Sequence, residues 1–295
     1  MKVDAGYALP FDGSPVEGLL HKRLPDHGIA APVRLDAVWS PGFFDLDAVP
    51  AFRAAPETTQ RAILADCARG TLLEAYFIEK AGVSYAAKMI LLAPTAEERS
   101  LYAMFAAEEA GHLDAMGAAL GPSAKDADWQ SDPFLGWLRT IVEQADRPTS
   151  QLVVQLVLEG WGLKHYASMR DGCHDAALRS VFDRIVADEA AHHGSAVQLL
   201  RDTSLDRATV RQAVDLLADL LAMVKMGPAR VMGALERGLG GFTAAQRRQA
   251  HASMQSDRHV AHRLQILRRC LEKVPAVRPV VAGLVERGGF AGGVT

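Results

Sequence analysis

The sequence predicts an all-α protein organised around a four-helix bundle, and three observations predict it. Apolar residues recur at helical spacing from Pro56 to about Gly241, with no persuasive strand alternation. Helix start and stop signals punctuate that stretch. Residues 78 to 116 then return once, 80 positions later and without a gap, which makes two helix pairs related by a pseudo-twofold axis.

The elements follow in order. Residues 1–55 are rich in Pro and Gly (Pro10, Gly13, Pro15, Gly18, Pro25, Gly28, Pro32, Pro41, Gly42, Pro50) and hold no lasting period. They read as an irregular arm of turns or short strands that packs on the body through Trp39, Phe43 and Phe44. A bundle spans residues 56–205. Its first helix runs from near Glu57 to near Leu92 and stops before Pro94. Thr95 to Glu98 is a capping box that opens a second helix, ended by Gly121-Pro122. Asp132-Pro133 starts a shorter helix through Trp137 and Ile141. The next helix runs from about Thr149 to Arg170, and Asp175 caps the one that continues to about Arg201. Residues 206–295 form a helical extension. One helix spans Asp206 to Met226 and is broken by Gly227-Pro228, and a short one reaches Gly238. The capping box Thr243 to Gln246 opens one helix to about Lys273, and a tail after Pro275, with Gly288, Gly289, Gly292 and Gly293, is expected to fray.

The repeat is the most informative feature. Ala107-Glu108-Glu109-Ala110-Gly111-His112 returns as Ala187-Asp188-Glu189-Ala190-Ala191-His192, and Arg99-Ser100-Leu101-Tyr102 as Arg179-Ser180-Val181-Phe182. Upstream, Glu79 falls on Glu159, Gly82 on Gly162 and Met89 on Met169, and the caps Thr95 and Asp175 coincide. Each copy thus supplies one Glu on its first helix and Glu-x-x-His on its second. A spacing of three puts Glu and His on one helix face. Four such helices aim Glu79, Glu109, His112, Glu159, Glu189 and His192 at one point, the ligand scheme of di-iron bundle cores. Four carboxylates balance two divalent cations, whereas four unpaired buried carboxylates are very costly. Oxygen and imidazole donors suit iron or manganese better than copper(I). Glu108 and Asp188, each just before the motif Glu, are expected to accept from the imidazoles crosswise, Asp188 from His112 and Glu108 from His192. Glu74 is a rival ligand to Glu79, but its repeat partner is Val154.

Over residues 70 to 200 these motifs resemble the ferritin-like di-iron carboxylate superfamily. Asp188-Glu189-Ala190-Ala191-His192 is similar to the second motif of its ribonucleotide reductase radical-subunit and monooxygenase branch, where an Asp also precedes the Glu. The resemblance implies a ferritin-like bundle with two iron ions, or a manganese–iron pair, and oxygen chemistry. Departures narrow it. Met116 stands where the reductase subunit has its radical Tyr, and Ile185 where the amine N-oxygenases add a third His. There is no CxxC pair of the rubrerythrin kind, and the chain is longer than a ferritin.

The function expected from this resemblance is an oxygenase or oxidase acting with O2 on a small organic substrate, with electrons from a donor protein or other reductant. Gly82 and Gly162 would either leave room beside the metals or let the helices pack closely, and Tyr85 and Tyr166 would line such a pocket or belong, with Trp161 and His165, to the core or rim near the ligand helices. The C-terminal helices would wall the pocket or serve a homodimer. The competing expectations are a ferroxidase or peroxide scavenger without organic substrate, and a metal-binding bundle without turnover. A net charge of −3 with mixed signs argues against nucleic acid, and His251, Arg258, His259, His262, Arg263, Arg268 and Arg269 read as a solvated face. No apolar run reaches the ~20 residues of a membrane span, and Met1 to Pro10 has no apolar core of a signal peptide. Cys67, Cys173 and Cys270 form no pair in sequence and read as small core residues of a cytoplasmic protein.

Overall fold

A computed structural model describes residues 4–9, 15–124 and 129–292. Pro10 and Gly13 of the arm, Gly293 of the tail and part of the Met1–Pro10 segment lie outside the described residues. Among the described residues the fold is all-helical, without a strand.

The arm holds more helix than its composition predicts. It contains α1 (Pro15–His21), two 3-10 turns (Pro41–Phe44 and Leu46–Ala48) and α2 (Pro50–Arg53). Prolines open three of these four elements, because a fixed φ and a missing N–H cost nothing in a first turn. The arm is fastened to the body: Trp39 Nε1 donates to the Met169 carbonyl at 2.9 Å, and its ring stacks on Phe43 and Phe182.

Then come α3 (Glu57–Leu92) and α4 (Ala96–Leu120), packed along each other, followed by α5 (Pro133–Gln144) and the single turn α6 (Arg147–Ser150). Thr95 caps α4 by accepting from Glu98 N at 3.2 Å. The Glu98 carboxylate does not complete the expected capping box; it pairs with Arg147 instead. Asp132 caps α5 at Phe134 N and Leu135 N. Lys88, 5% exposed, reaches from α3 to the end of α5, where its ammonium donates to the Val142 and Ala145 carbonyls and to Ser150 Oγ.

The helix expected from Thr149 to Arg170 is not uniform. Gln151–Leu158 is a π-helix, followed by α7 (Glu159–Gly172), which packs along α8 (Ala176–Leu200). The residues there are Leu, Val and two Gln, which an α-helical pattern accommodates equally well, so the hydrophobic period alone does not reveal the wider i→i+5 turn. Asp175 caps α8 through Leu178 N at 2.9 Å.

The remaining helices are α9 (Arg207–Lys225), α10 (Ala229–Leu239), α11 (Ala244–Ser253), α12 (Ser256–Glu272) and α13 (Arg278–Glu286). α10 packs on α3, α12 on α7 and the π-helix, and α13 on α9. Two expectations are corrected here. The helix from Thr243 to Lys273 is two helices, broken at Gln255 with φ 49; Met254 and Ser256 turn inward at the break. The described part of the tail is helical over Arg278–Glu286: Val277, Val280 and Leu284 recur at helical spacing and are buried, a period obscured by the glycines that follow. The basic residues Arg258, His259, His262, Arg263, Arg268 and Arg269 are exposed, with His251 half-buried. The three cysteines are free and buried. Among the described residues no helix is long and apolar enough to cross a membrane.

Candidate metal centre

The structure brings all six predicted side chains together. α3 presents Glu79, α4 presents Glu109 and His112, α7 presents Glu159, and α8 presents Glu189 and His192. Five of the six are at most 5% exposed, and Glu159 is partly buried. Their ligand atoms fall into two overlapping groups, Glu79–Glu109–His112–Glu189 and Glu109–Glu159–Glu189–His192, each within 4.8 Å. Glu109 and Glu189 belong to both groups. Each group has one Glu and one His of its own beside the two carboxylates it shares, and buried groups of this kind could hold a metal ion.

Both imidazoles turn the same nitrogen inward. His112 Nδ1 lies 3.2 Å from Glu79 Oε2, and His192 Nδ1 lies 3.3 Å from Glu109 Oε1 and 4.0 Å from Glu159 Oε2. The outward nitrogens meet carboxylates across the helix pairs: His112 Nε2 lies 2.9 Å from Asp188 and His192 Nε2 2.8 Å from Glu108. A proton on Nε2 leaves the Nδ1 lone pair for a cation. The Tyr166 hydroxyl donates to Glu79 Oε1.

The electrostatics describe a cluster short of positive charge. Burial, then the charges of Glu79 and Glu159, push the Glu109 carboxyl well above its usual range. Burial first, with Glu79 adding, raises Glu159 to about 7. Burial would raise Glu79 too, but His112 outweighs it and holds Glu79 below the usual carboxylate value. Burial would lower His112, yet Asp188 and Glu79 bring it up to about 10. Glu189 Oε2 is buried with no hydrogen-bond partner. An orphaned carboxylate oxygen beside three other carboxylates and two imidazoles fits a bound cation, which would take the place of the protons that otherwise balance the cluster.

The pocket residues divide. Gly82 lies against Glu109: a methyl there would come within 2.7 Å of the Glu109 carboxyl carbon, so the missing side chain is what admits this ligand. Gly162 meets nothing closer than the Tyr166 ring at 4.0 Å. Tyr85 points away into a polar network and bonds Gln155 at 3.0 Å. His165 has a buried Nε2 without a partner, and Trp161 is half-buried. Glu74 pairs with Arg230, which also holds Asp132, so it takes no part in the cluster. A cleft of about 70 Å³, lined by Pro25, Glu108, Gly111, His112, Arg184 and Asp188 among others, lies over the outer side of the imidazoles.

Sequence reasoning missed Gln151, Gln155, His193 and Ser195. Gln155 accepts from Tyr85 and Tyr102 and donates to Ser195 Oγ and the His192 carbonyl. A usable signal existed: two amides in the otherwise apolar run Gln-Leu-Val-Val-Gln-Leu-Val-Leu must find partners when buried. No protein-family model, no curated protein and no solved structure matches this chain.

Proposed function

We propose that the protein is a ferritin-like four-helix di-iron oxidoreductase that uses O2 to oxidise a small organic substrate. The observation that carries this reading is the pair of overlapping buried groups that share Glu109 and Glu189. Oxygen and imidazole donors suit iron, or a manganese–iron pair. When bound, the metal pair supplies the electrons that reduce O2, chemistry no side chain here provides.

The chain's own residues do the rest. Burial of the carboxylates excludes water and strengthens every charge interaction at the site. Glu108 and Asp188 orient the two imidazoles and keep the proton on Nε2. Tyr166 holds Glu79 in one rotamer by donating to Oε1. Glu159, its side chain 13% exposed against 1% for Glu79, marks the more open face for a substrate. Two electrons per O2 must come from a donor protein or other reductant, unless the substrate itself gives them up.

One observation favours a second reading, a ferroxidase or peroxide scavenger. The cleft over Glu108 and Asp188 is water- or ion-sized, too small for an organic substrate. The test begins with metal analysis of the purified chain, then anaerobic loading with ferrous iron and O2 uptake with and without reductant and candidate organics. O2 uptake that rises with one organic compound, with a matching oxidised product, supports the first reading. Uptake that tracks added ferrous iron alone supports the second. A chain that takes up neither iron nor manganese stoichiometrically removes both and leaves a helical protein without turnover.

A further inference from the structure

We propose that Gln155 is a positioning residue for one of the two cation positions, fixing Glu159 and His192, and that the other position has no equivalent. The proposal rests on the dinuclear reading above.

Gln155 is fully buried, and its amide uses all of its hydrogen-bonding capacity. Oε1 accepts from Tyr85 OH at 3.0 Å and Tyr102 OH at 2.8 Å. Nε2 donates to Ser195 Oγ at 2.6 Å and to the His192 carbonyl at 3.2 Å. Ser195 Oγ donates to that same carbonyl at 2.7 Å, and Gln151 Nε2 donates to Tyr102 OH at 2.9 Å. Tyr85 stands on α3, Tyr102 on α4, and His192 and Ser195 on α8. One side chain therefore ties its own helix to all three other ligand-bearing helices.

Its place on the chain gives that tie a target. Gln155 sits in the π-helix four residues before Glu159, so pinning it fixes the rotation with which Glu159 enters the cluster. The same amide grips the main chain of His192, a ligand of the same position. The outer side of this turn is held as well. His193 Nδ1 donates to the Leu156 carbonyl at 3.0 Å, and its Nε2 meets Lys273 Nζ at 2.9 Å. Gly160 makes room for that ring, since a methyl there would lie 2.8 Å from it.

The repeat supplies the control. At the equivalent places of the first half stand Ala75 for Gln155, Ala115 for Ser195 and Leu113 for His193. None of these side chains can donate or accept. Glu79 is held from the opposite direction, by Tyr166, whose equivalent beside Glu159 is Ala86. Removing the amide must then act on the Glu159–His192 position and spare the Glu79–His112 position.

The test titrates the metal-free full chain with Co²⁺ under anaerobic conditions, followed by calorimetry and visible absorption. The variant is Gln155→Met with Tyr85→Phe and Tyr102→Phe, which removes both sides of the Gln155–tyrosine bonds, leaves no orphaned hydroxyl there, and frees the Gln151 amide from Tyr102. The expected result is wild-type affinity for one equivalent and about 10- to 100-fold weaker binding of the other. In a His192→Ala background, which cripples the Glu159 position beforehand, the same triple change is expected to leave the remaining affinity untouched. Equal weakening of both equivalents, or an equal loss in the His192→Ala background, would mean a general structural role and overturn the proposal. So would binding of both equivalents as in the wild type. If the unaltered chain binds no Co²⁺, the dinuclear reading itself fails before any variant is consulted.

Discussion

The two copies of the repeat put the same three Glu and His side chains at equivalent helix positions, yet they hold them by different means. In the first copy, α3 is a continuous α-helix, its ligand Glu79 is wholly buried, and a tyrosine from the other copy holds it. In the second, α7 is preceded by a π-helix, Glu159 is more exposed, and a glutamine–serine–tyrosine network lies one turn before it. Equal ligands therefore do not make equal positions. The supporting side chains are where the copies diverge, and they decide how firmly each ligand is held.

That comparison breaks most easily at the shared carboxylates. Glu109→Gln and Glu189→Gln are each expected to cost both cation positions, whereas Glu79→Gln and Glu159→Gln each leave one; metal content per chain measures the difference. Equal metal loss in all four variants would erase the distinction between shared and private ligands. Metal removal comes next. Ions at a hundred times their dissociation constant stabilise by about 2.7 kcal/mol, so a chelator is expected to lower the melting temperature by several degrees. Gly82→Ala and Gly162→Ala sharpen the contrast between equivalent sites. The first pushes a methyl into Glu109 and is expected to cost about 1–3 kcal/mol along with metal affinity. The second meets open space beside Tyr166 and is expected to be neutral, or stabilising by about 0.5–1 kcal/mol, by urea denaturation. The smallest effects test where the copies agree. Thr95→Ala and Asp175→Ala remove equivalent caps, and each is expected to cost about 1 kcal/mol.

Much of the helical layout was legible because its signals are local. Caps such as Thr95, Asp132 and Asp175 compete for backbone N–H groups whatever the tertiary setting, and the starts of α4, α5 and α8 fall where those signals put them. The convergence of the six Glu and His side chains was legible because the repeat doubles a weak motif. What stayed hidden depends on partners distant in sequence. A π-helix and an α-helix have similar apolar patterns over eight residues, and the partners of the Gln155 amide lie on helices distant in sequence. The break at Gln255 and the burial of α13 likewise follow from the surface the chain must cover. Glu74 looked like a ligand because its guanidinium partner, Arg230, lies far along the sequence.

The ammonium of Lys88 has a consequence that reaches beyond α5. By gathering the carbonyls of Val142 and Ala145 together with the hydroxyl of Ser150, it decides where one helix stops and the next turn begins, immediately upstream of Gln151. The start of the helix that carries Glu159 is thus tied to a residue nine positions, about two and a half turns, past Glu79 on α3. An arginine cannot replace it, since a planar fork does not converge on three acceptors as a tetrahedral head does.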